Sequence, residues 1–431
     1  MKRALLVVFI LFFLVAVAIA GWYAVHTRQI EAELQQYKAW SGARRPVKVT
    51  FEVQPCPGTP SDQPLWISGN APEMGGWDGA GVALTRGQDG KYRGSIEVLS
   101  GIEYSYKVTR GSWSTVERGP QGQEIPNRTL MVEQDTTIPI TIATWVDGGK
   151  SIPGLHTLSG TIREHRKFRS ELLNNERTIM VYLPPGYEQS PDLRYPVLYM
   201  HDGQNLFDAA TSFAGIEWKV DEAAQELIAQ QRIEPLIIVG IYNSEQRSSE
   251  FTPPPPDSTG GSESQRGLLY ARFVIEEVKP FIDKTYRTRP DRRNTAIAGS
   301  SMGGMITLYI AKTFPGVFGQ VAVLTPHLRV GQRDIVQELS AGDTQWIKAT
   351  RFWIDMGDRG QSNYPGEDPM GDARALVQVL EDAGLRSGID YQYTEIPGGE
   401  HNESAWQRRI DQVLLFLFAK AVQAPGASGA G

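Results

Sequence analysis

The sequence has a single cysteine and only six histidines in 431 residues, and no lysine or arginine run longer than a few residues. One thiol, Cys56, cannot close an internal disulfide and has no second cysteine with which to build a thiolate metal site. It reads as a passive residue near a domain edge. Lys and Arg number 43 against 49 Asp and Glu, a net charge of −6, so the basic footprint that nucleic acid requires is missing. The hydrophobic share of 41% and charged share of 21% are those of folded protein, with disorder expected only at the ends. The length favours two domains over a single core.

Met1, Lys2 and Arg3 precede an almost unbroken apolar run from Ala4 to Val25, enough for a bilayer-spanning helix of roughly 20 residues. Ala18-Ile19-Ala20 is also a small-residue cleavage site. Residues 1–29 are therefore expected to be a transmembrane signal anchor, with a removable signal peptide as the other reading. Either way Lys2 and Arg3 stay inside and the rest faces the periplasm or exterior. Residues 30–46 read as a short helical stalk.

From 47 to 145 apolar and polar residues alternate, as in Val47-Lys48-Val49-Thr50-Phe51-Glu52-Val53 and Tyr104-Ser105-Tyr106-Lys107-Val108. Period-two runs broken by Gly, Pro and Asp predict an all-β sandwich. Residues 146–157 have linker composition. Over 158–421 strands alternate with helices. Strands are expected at Thr178–Leu183, Pro196–Met200, Leu236–Ile241, Thr295–Ala298, Gln320–Leu324, Arg351–Asp355 and Tyr391–Glu395, and helices at Val220–Ala229, Leu268–Tyr286, Gly303–Thr313, Ala373–Ala383 and Ala405–Phe418. That rhythm predicts a mostly parallel sheet with helices on both faces and a site at the strand carboxyl ends. Glu245–Arg266 reads as a long surface loop, and 422–431 as a disordered tail.

Gly299-Ser300-Ser301-Met302-Gly303 stands between a short apolar strand and a helix. A serine there sits on a sharp strand-to-helix turn with its hydroxyl projecting, and the helix N-terminus favours a developing oxyanion. Serine needs a base. His401 follows the last strand in Gly398-Gly399-Glu400-His401-Asn402, late in the chain as the order Ser, acid, His requires. The orienting acid should come from the loop after Arg351–Asp355. Asp358 is the first choice and Asp368 the next, with Glu367 and Asp372 also in range, whereas Asp355 reads as strand interior. The oxyanion N–H donors are assigned to Met302 and to Gln204 in His201-Asp202-Gly203-Gln204-Asn205.

With Val181-Tyr182-Leu183-Pro184-Pro185-Gly186-Tyr187 and Tyr195-Pro196-Val197-Leu198-Tyr199-Met200-His201-Asp202-Gly203-Gln204, these motifs make 158–419 resemble the enterochelin-esterase/feruloyl-esterase group of α/β-hydrolases, which includes S-formylglutathione hydrolase and mycolyl transferases. The resemblance implies ester hydrolysis or acyl transfer by a Ser/His/acid triad, without a metal or other cofactor. Gly360 stands where that group carries Asp or Glu. Residues 47–132 resemble a starch-binding domain through Gly69-Asn70-Ala71-Pro72-Glu73-Met74-Gly75-Gly76-Trp77, Tyr106-Lys107 and Pro126-Asn127-Arg128. Trp77, Lys107 and Asn127 match its sugar-binding positions. Val116-Glu117 replaces a second stacking tryptophan, for which Trp113 is the substitute. The expectation is thus an exported serine esterase acting on a carbohydrate-linked ester, acetyl or feruloyl, with an α-glucan as ligand of the first domain and the membrane as partner of the N-terminal helix. Two other readings stand beside it: a periplasmic siderophore or small-ester esterase, and an inactive, membrane-tethered glycan-binding protein.

Overall fold

The computed structural model describes residues 44–77, 79–122, 125, 127–146, 156–212, 216–255, 265–330, 333–359 and 368–420. The expected anchor or signal segment, nearly all of the stalk, most of the linker and the tail lie outside the described residues. Among the described residues no helix is long and apolar enough to cross a membrane.

By internal contacts the chain divides into two compact units. The first takes in Thr59–Val108, Asn127–Thr141 and the residues up to Pro55; the second takes in Cys56–Gly58, Thr109–Pro126 and everything from Ile142 onward. In the first unit lie β1 (Pro46–Gln54), β2 (Leu65–Gly69), β3 (Val82–Arg86), β4 (Tyr92–Leu99), β5 (Glu103–Thr109), β7 (Arg128–Met131) and β8 (Thr136–Thr141). They form one sheet in the order β7-β5-β2-β3-β4-β1-β8. Three strands separate β1 from β5. On a flat sheet they would stand roughly 19 Å apart, at about 4.8 Å per strand. Yet the rings of Phe51 and Tyr106 meet edge-on with centroids 5.3 Å apart, so the sheet turns over on itself and encloses Val49, Phe51, Leu65, Ile67, Leu84 and Tyr106. The two-residue strand β6 (Glu117–Arg118) pairs with β9 (Thr144–Trp145) and not with this sheet. That pairing ties the stretches 109–126 and 142–145, read from sequence as sandwich, to each other, and both group with the second unit.

The second unit is built on eight strands: β10 (Thr161–Ser170), β11 (Asn175–Leu183), β12 (Val197–Met200), β13 (Ile237–Ile241), β14 (Thr295–Ser300), β15 (Gln320–Leu324), β18 (Arg351–Gly357) and β19 (Tyr391–Ile396). Between β15 and β18 lies a small ribbon of β16 (Arg329–Val330) and β17 (Arg333–Asp334). The sheet order is β10-β11-β13-β12-β14-β15-β18-β19. β10 and β11 run antiparallel at one edge, and the pairs from β13 onward are parallel. Successive side chains point to opposite faces of a strand. Ile297 accordingly enters one apolar core, with Phe251, Tyr270, Met305 and Ile354, while Ala296 and Ala298 enter the other, with Trp218, Leu227, Trp406 and Leu414. Helices cover both faces: α1 (Val220–Ala229), α2 (Met302–Thr313), α3 (Pro369–Asp382), α4 (Glu403–Gln407) and α5 (Ile410–Phe418).

All seven strands expected from sequence are present. β10 had no such signal, because as an edge strand it exposes most of its residues. The expected helix at Ala405–Phe418 is instead two, α4 and α5, meeting at Arg408 and Arg409. The loop expected at Glu245–Arg266 contains a single helical turn at Arg247–Glu250, and its stretch 256–264 lies outside the described residues.

Candidate active site

β14 ends at Ser300 and α2 begins at Met302, so Ser301 alone makes the turn, at φ 56° and ψ −127°. An L-residue rarely adopts that conformation and does so at a cost of about 1–3 kcal/mol. Both sides of the residue are tied down: its N–H donates to the Leu324 carbonyl at 3.1 Å, and its carbonyl accepts from the N–H groups of His327 at 3.0 Å and Met305 at 3.2 Å. The flanking glycines let the turn close. A methyl group on Gly299 would stand 2.6 Å from the Gly303 carbonyl and 2.9 Å from the His201 ring, so only a bare backbone fits.

Met302 is the first residue of α2, where an N–H has no acceptor inside the helix and carries the positive end of the dipole. The second expected donor, Gln204, lies in a 3-10 turn at Gly203–Asn205 that follows β12. The His201 N–H bonds the Ala298 carbonyl at 3.1 Å, and a Cβ built on Gly303 would lie 3.5 Å from Asp202 Oδ2. The Gln204 turn therefore lies against the start of α2. Asp202 holds it there. This residue has φ 55°, and its carboxylate accepts a two-pronged bond from Arg247 at 2.7 and 2.7 Å and one from Asn243 Nδ2 at 2.6 Å. Burial acts to raise the Asp202 pKa, and Arg247 and Asn243 more than offset it, leaving it lowered.

His401 lies between β19 and α4, in a loop whose Asn402 caps α4 by accepting the Ala405 N–H at 3.0 Å. Its ring meets Trp406 edge-on, centroids 5.2 Å apart, and stands 5.6 Å from the ring of His327. Since the His327 N–H bonds the Ser301 carbonyl, His327 joins the serine turn to the His401 loop. Burial first, then the positive fields of His327, Arg247 and Arg409, holds the His401 pKa well below 6.5, so the imidazole is neutral and able to accept a proton at pH 7.

The acid candidates fall in different places. Asp358 follows β18 directly and is exposed, and none of its hydrogen bonds among the described residues reaches His401. The strand end does approach the histidine loop, since the Arg359 N–H bonds the Gly399 carbonyl at 3.1 Å. Asp368 caps α3 by accepting the Gly371 N–H at 2.9 Å. Asp372 forms a two-pronged pair with Arg329 at 2.8 and 2.6 Å. Asp355 is strand interior, as expected, fully buried and bonded to Arg409 at 2.8 Å. Glu367 lies outside the described residues. Of the expected sugar-binding positions, Trp77 ends a 3-10 turn at Pro72–Trp77. Lys107 is only 5% exposed, buried in β5, and Asn127 is exposed. Trp113 is half-buried and belongs to the second unit.

Sequence reasoning missed the supports. Trp406 meets the His401 ring edge-on while its Nε1 donates to Thr325 Oγ1 at 2.6 Å, and Asn205 Nδ2 donates to Glu403 at 3.3 Å, linking the Gln204 turn to the helix after His401. These contacts join residues far apart in the chain, and no local motif announces them.

His201 gives the site a measurable pH signature. It is 2% exposed, its Nδ1 bonds the Tyr270 hydroxyl at 2.8 Å, and its Nε2 is buried without a partner. Burial lowers its pKa to about 4, with Asp202 acting to raise it and Arg247 to lower it. The unfolded chain, near 6.5, binds the proton first, so this contribution to stability is complete above pH 6.5 and is lost as the pH falls toward 4. At about 1.4 kcal/mol per pKa unit it is worth about 3 kcal/mol. Urea unfolding at pH 7 and pH 4.5 should therefore show a smaller acid loss in His201→Gln than in the parent. Equal losses in the two would refute the assignment.

Comparison with known proteins agrees with this geometry. The model of the Esterase family matches residues 170–417, more than half of the chain, and the model of the starch binding domain matches residues 46–139. The Bacillus subtilis protein YjcH, itself uncharacterized, is 27% identical over 262 residues, which are 59% of this chain and 97% of that protein. An endo-1,4-beta-xylanase/feruloyl esterase of Xylanibacter ruminicola is 29% identical over 255 residues, 58% of this chain but 30% of the enzyme. An alpha-amylase of Niallia circulans is 38% identical over 102 residues, 23% of this chain and 8% of the amylase. The chain thus spans nearly all of the first relative and less than a third of the other two. On the family match, and with Ser301 at the strand-to-helix turn inside the matched region, the chain belongs to the Esterase family and is a serine carboxylic-ester hydrolase.

Proposed function

We propose that the protein is exported and removes an acyl group, acetyl or feruloyl, from a carbohydrate-linked ester. In this reading Ser301 Oγ attacks the ester carbonyl while His401 takes its proton. The N–H groups of Met302 and Gln204 stabilise the oxyanion. Collapse of the tetrahedral adduct expels the alcohol, which takes the proton from His401 and leaves an acyl-serine. Water, deprotonated by His401, then releases the acid and restores the hydroxyl. The acid that orients His401 is taken from the segment after β18, Asp358 first and Asp368 next, although neither bonds His401 among the described residues. The observation that carries the mechanism is the Ser301 backbone, held at φ 56° by hydrogen bonds at its N–H and its carbonyl.

The carbohydrate link rests on the starch-binding match ahead of the esterase region and on the feruloyl esterase among the relatives. Export, through either a signal anchor or a cleaved signal peptide, rests on the apolar run Ala4–Val25 behind Lys2 and Arg3. The test is a panel of esters given to the full-length chain: p-nitrophenyl acetate, acetylated and feruloylated oligosaccharides, and a catecholate siderophore triester. The saccharide esters should have the highest kcat/KM. Preference for the siderophore ester would replace the substrate reading, and soluble-starch retention without turnover of any ester would replace the enzyme reading with a binding one.

A further inference from the structure

Away from Ser301, at the start of α1, three carboxylates converge. Asp221 and Glu222 occupy the first turn of the helix and Glu217 precedes it by three residues. Glu217 is 2% exposed, Asp221 is fully buried, and Glu222 is half-buried. One oxygen from each lies within 4.8 Å of the other two. Like charges gathered at that range in a poorly hydrated place repel strongly unless a cation or protons lie among them.

The hydrogen bonding shows a separate deficit. Asp221 uses Oδ2 to accept the Ser159 N–H at 2.6 Å, but Asp221 Oδ1, Glu217 Oε2 and Glu222 Oε2 are all buried and without any hydrogen-bond partner. Buried carboxylate oxygens are nearly always satisfied. Here three remain unsatisfied within one small volume, two of them on side chains that are at least nine-tenths buried.

We propose that Glu217, Asp221 and Glu222 bind a divalent cation of the calcium class. An all-oxygen, carboxylate-rich donor set selects a hard cation over zinc or copper. Coordination chemistry then favours calcium, which accepts several carboxylates in a flexible shell, whereas magnesium dehydrates reluctantly and is usually held by only one or two; the three oxygens lie within 4.8 Å of one another, a span that one such ion can bridge. The expectation of no metal came from the family resemblance and concerned the ester chemistry, in which this cation takes no part.

Its role is to fasten the segment between the Gln204 turn and α1. The Trp218 N–H bonds the Asn205 carbonyl at 2.8 Å and the Val220 N–H bonds the Leu206 carbonyl at 3.2 Å. The Trp218 ring packs on Trp406, centroids 5.5 Å apart, and Trp406 packs on His401. A cation held beside Trp218 thus steadies both the turn that carries Gln204 and the ring behind the catalytic histidine.

The experiment is calcium titration of the EDTA-treated full-length chain by calorimetry, with magnesium in parallel, together with thermal melting. One calcium is expected per chain, binding at least tenfold more tightly than magnesium. The melting temperature should rise by about 5 °C at a hundredfold excess over Kd. Both effects should vanish in Asp221→Asn and in Glu217→Gln. These near-isosteric changes remove repulsion, so the variants fold, as circular dichroism would check. Absence of calcium binding in the parent, or binding that persists unchanged in either variant, overturns the proposal; tighter binding of magnesium overturns the choice of ion. None of these outcomes bears on which ester is cleaved.

Discussion

Ser301→Ala lowers kcat for p-nitrophenyl acetate by about 10⁴- to 10⁶-fold and abolishes labelling by a fluorophosphonate, with the fold intact. The size of the loss follows from the role: with no nucleophile, only the oxyanion donors and substrate binding remain to assist hydrolysis. Stability should behave differently. The cost of φ 56° and ψ −127° at this position belongs to the backbone and persists with alanine, whereas glycine adopts that conformation freely. Ser301→Gly is therefore as inactive as Ser301→Ala but melts at or above the temperature of the alanine variant. In the active parent the acid limb of kcat/KM reports His401. Burial, followed by His327, Arg247 and Arg409, depresses its pKa, so the limb lies below pH 6.5 and the rate is level between pH 7 and 6.5. Retention of more than a tenth of the activity in Ser301→Ala would remove Ser301 from the mechanism, and a limb above pH 6.5 would remove His401 as the base.

Arg409→Leu destabilises the esterase domain by about 3–5 kcal/mol, a fall in melting temperature of roughly 10 °C. Asp355 lies in β18, between β15 and the edge strand β19, with no exposure. Its Oδ1 accepts from Arg409 at 2.8 Å and from the Thr325 N–H at 3.2 Å, and its Oδ2 accepts from Trp353 Nε1 at 2.9 Å. Burial raises its pKa and the Arg409 charge is the chief opposing influence. Without the guanidinium the carboxylate must either stay charged and unpaired or take up a proton, and the Ala405 carbonyl loses its bond from Arg409 at 2.7 Å. Asp355→Asn combined with Arg409→Leu should recover at least half of the loss, because the buried charge is gone while an acceptor remains for Trp353 or Thr325. Urea unfolding of the two single variants and the double variant measures the coupling. A loss below about 1 kcal/mol in Arg409→Leu would show that solvent reaches Asp355. Thr325 also accepts from Trp406, the ring on which His401 rests, so the same variant should lower kcat even where it remains folded.

Much of this was legible in the linear sequence because it depends on near neighbours. Gly299 to Gly303 encode a strand-to-helix turn within five residues, and the apolar runs at Val197–Met200, Ile237–Ile241 and Gln320–Leu324 can satisfy their apolar surface only inside a sheet covered on both faces. Hence the parallel core and the place of Ser301 at its edge could be read from periodicity and a motif. The break between α4 and α5 was not legible, because the apolar period runs through Arg409, whose placement is decided by Asp355 54 residues away. Nor did spacing alone choose among Asp358, Asp368 and Asp372, since all three follow β18. Tertiary contacts gave two of them other work, Asp368 as a helix cap and Asp372 as the partner of Arg329. The convergence of Glu217, Asp221 and Glu222 looks in sequence like an ordinary acidic helix start. Only folding, which takes water away from Glu217 and Asp221 and leaves an oxygen of each of the three without a donor, makes it chemically distinct. The sequence by itself determined the inner strands and the strand-to-helix turn at Ser301, because those depend on local sterics and apolar spacing; the tertiary structure decided which charges are buried and what they face, because burial and electrostatic pairing are properties of the packed chain.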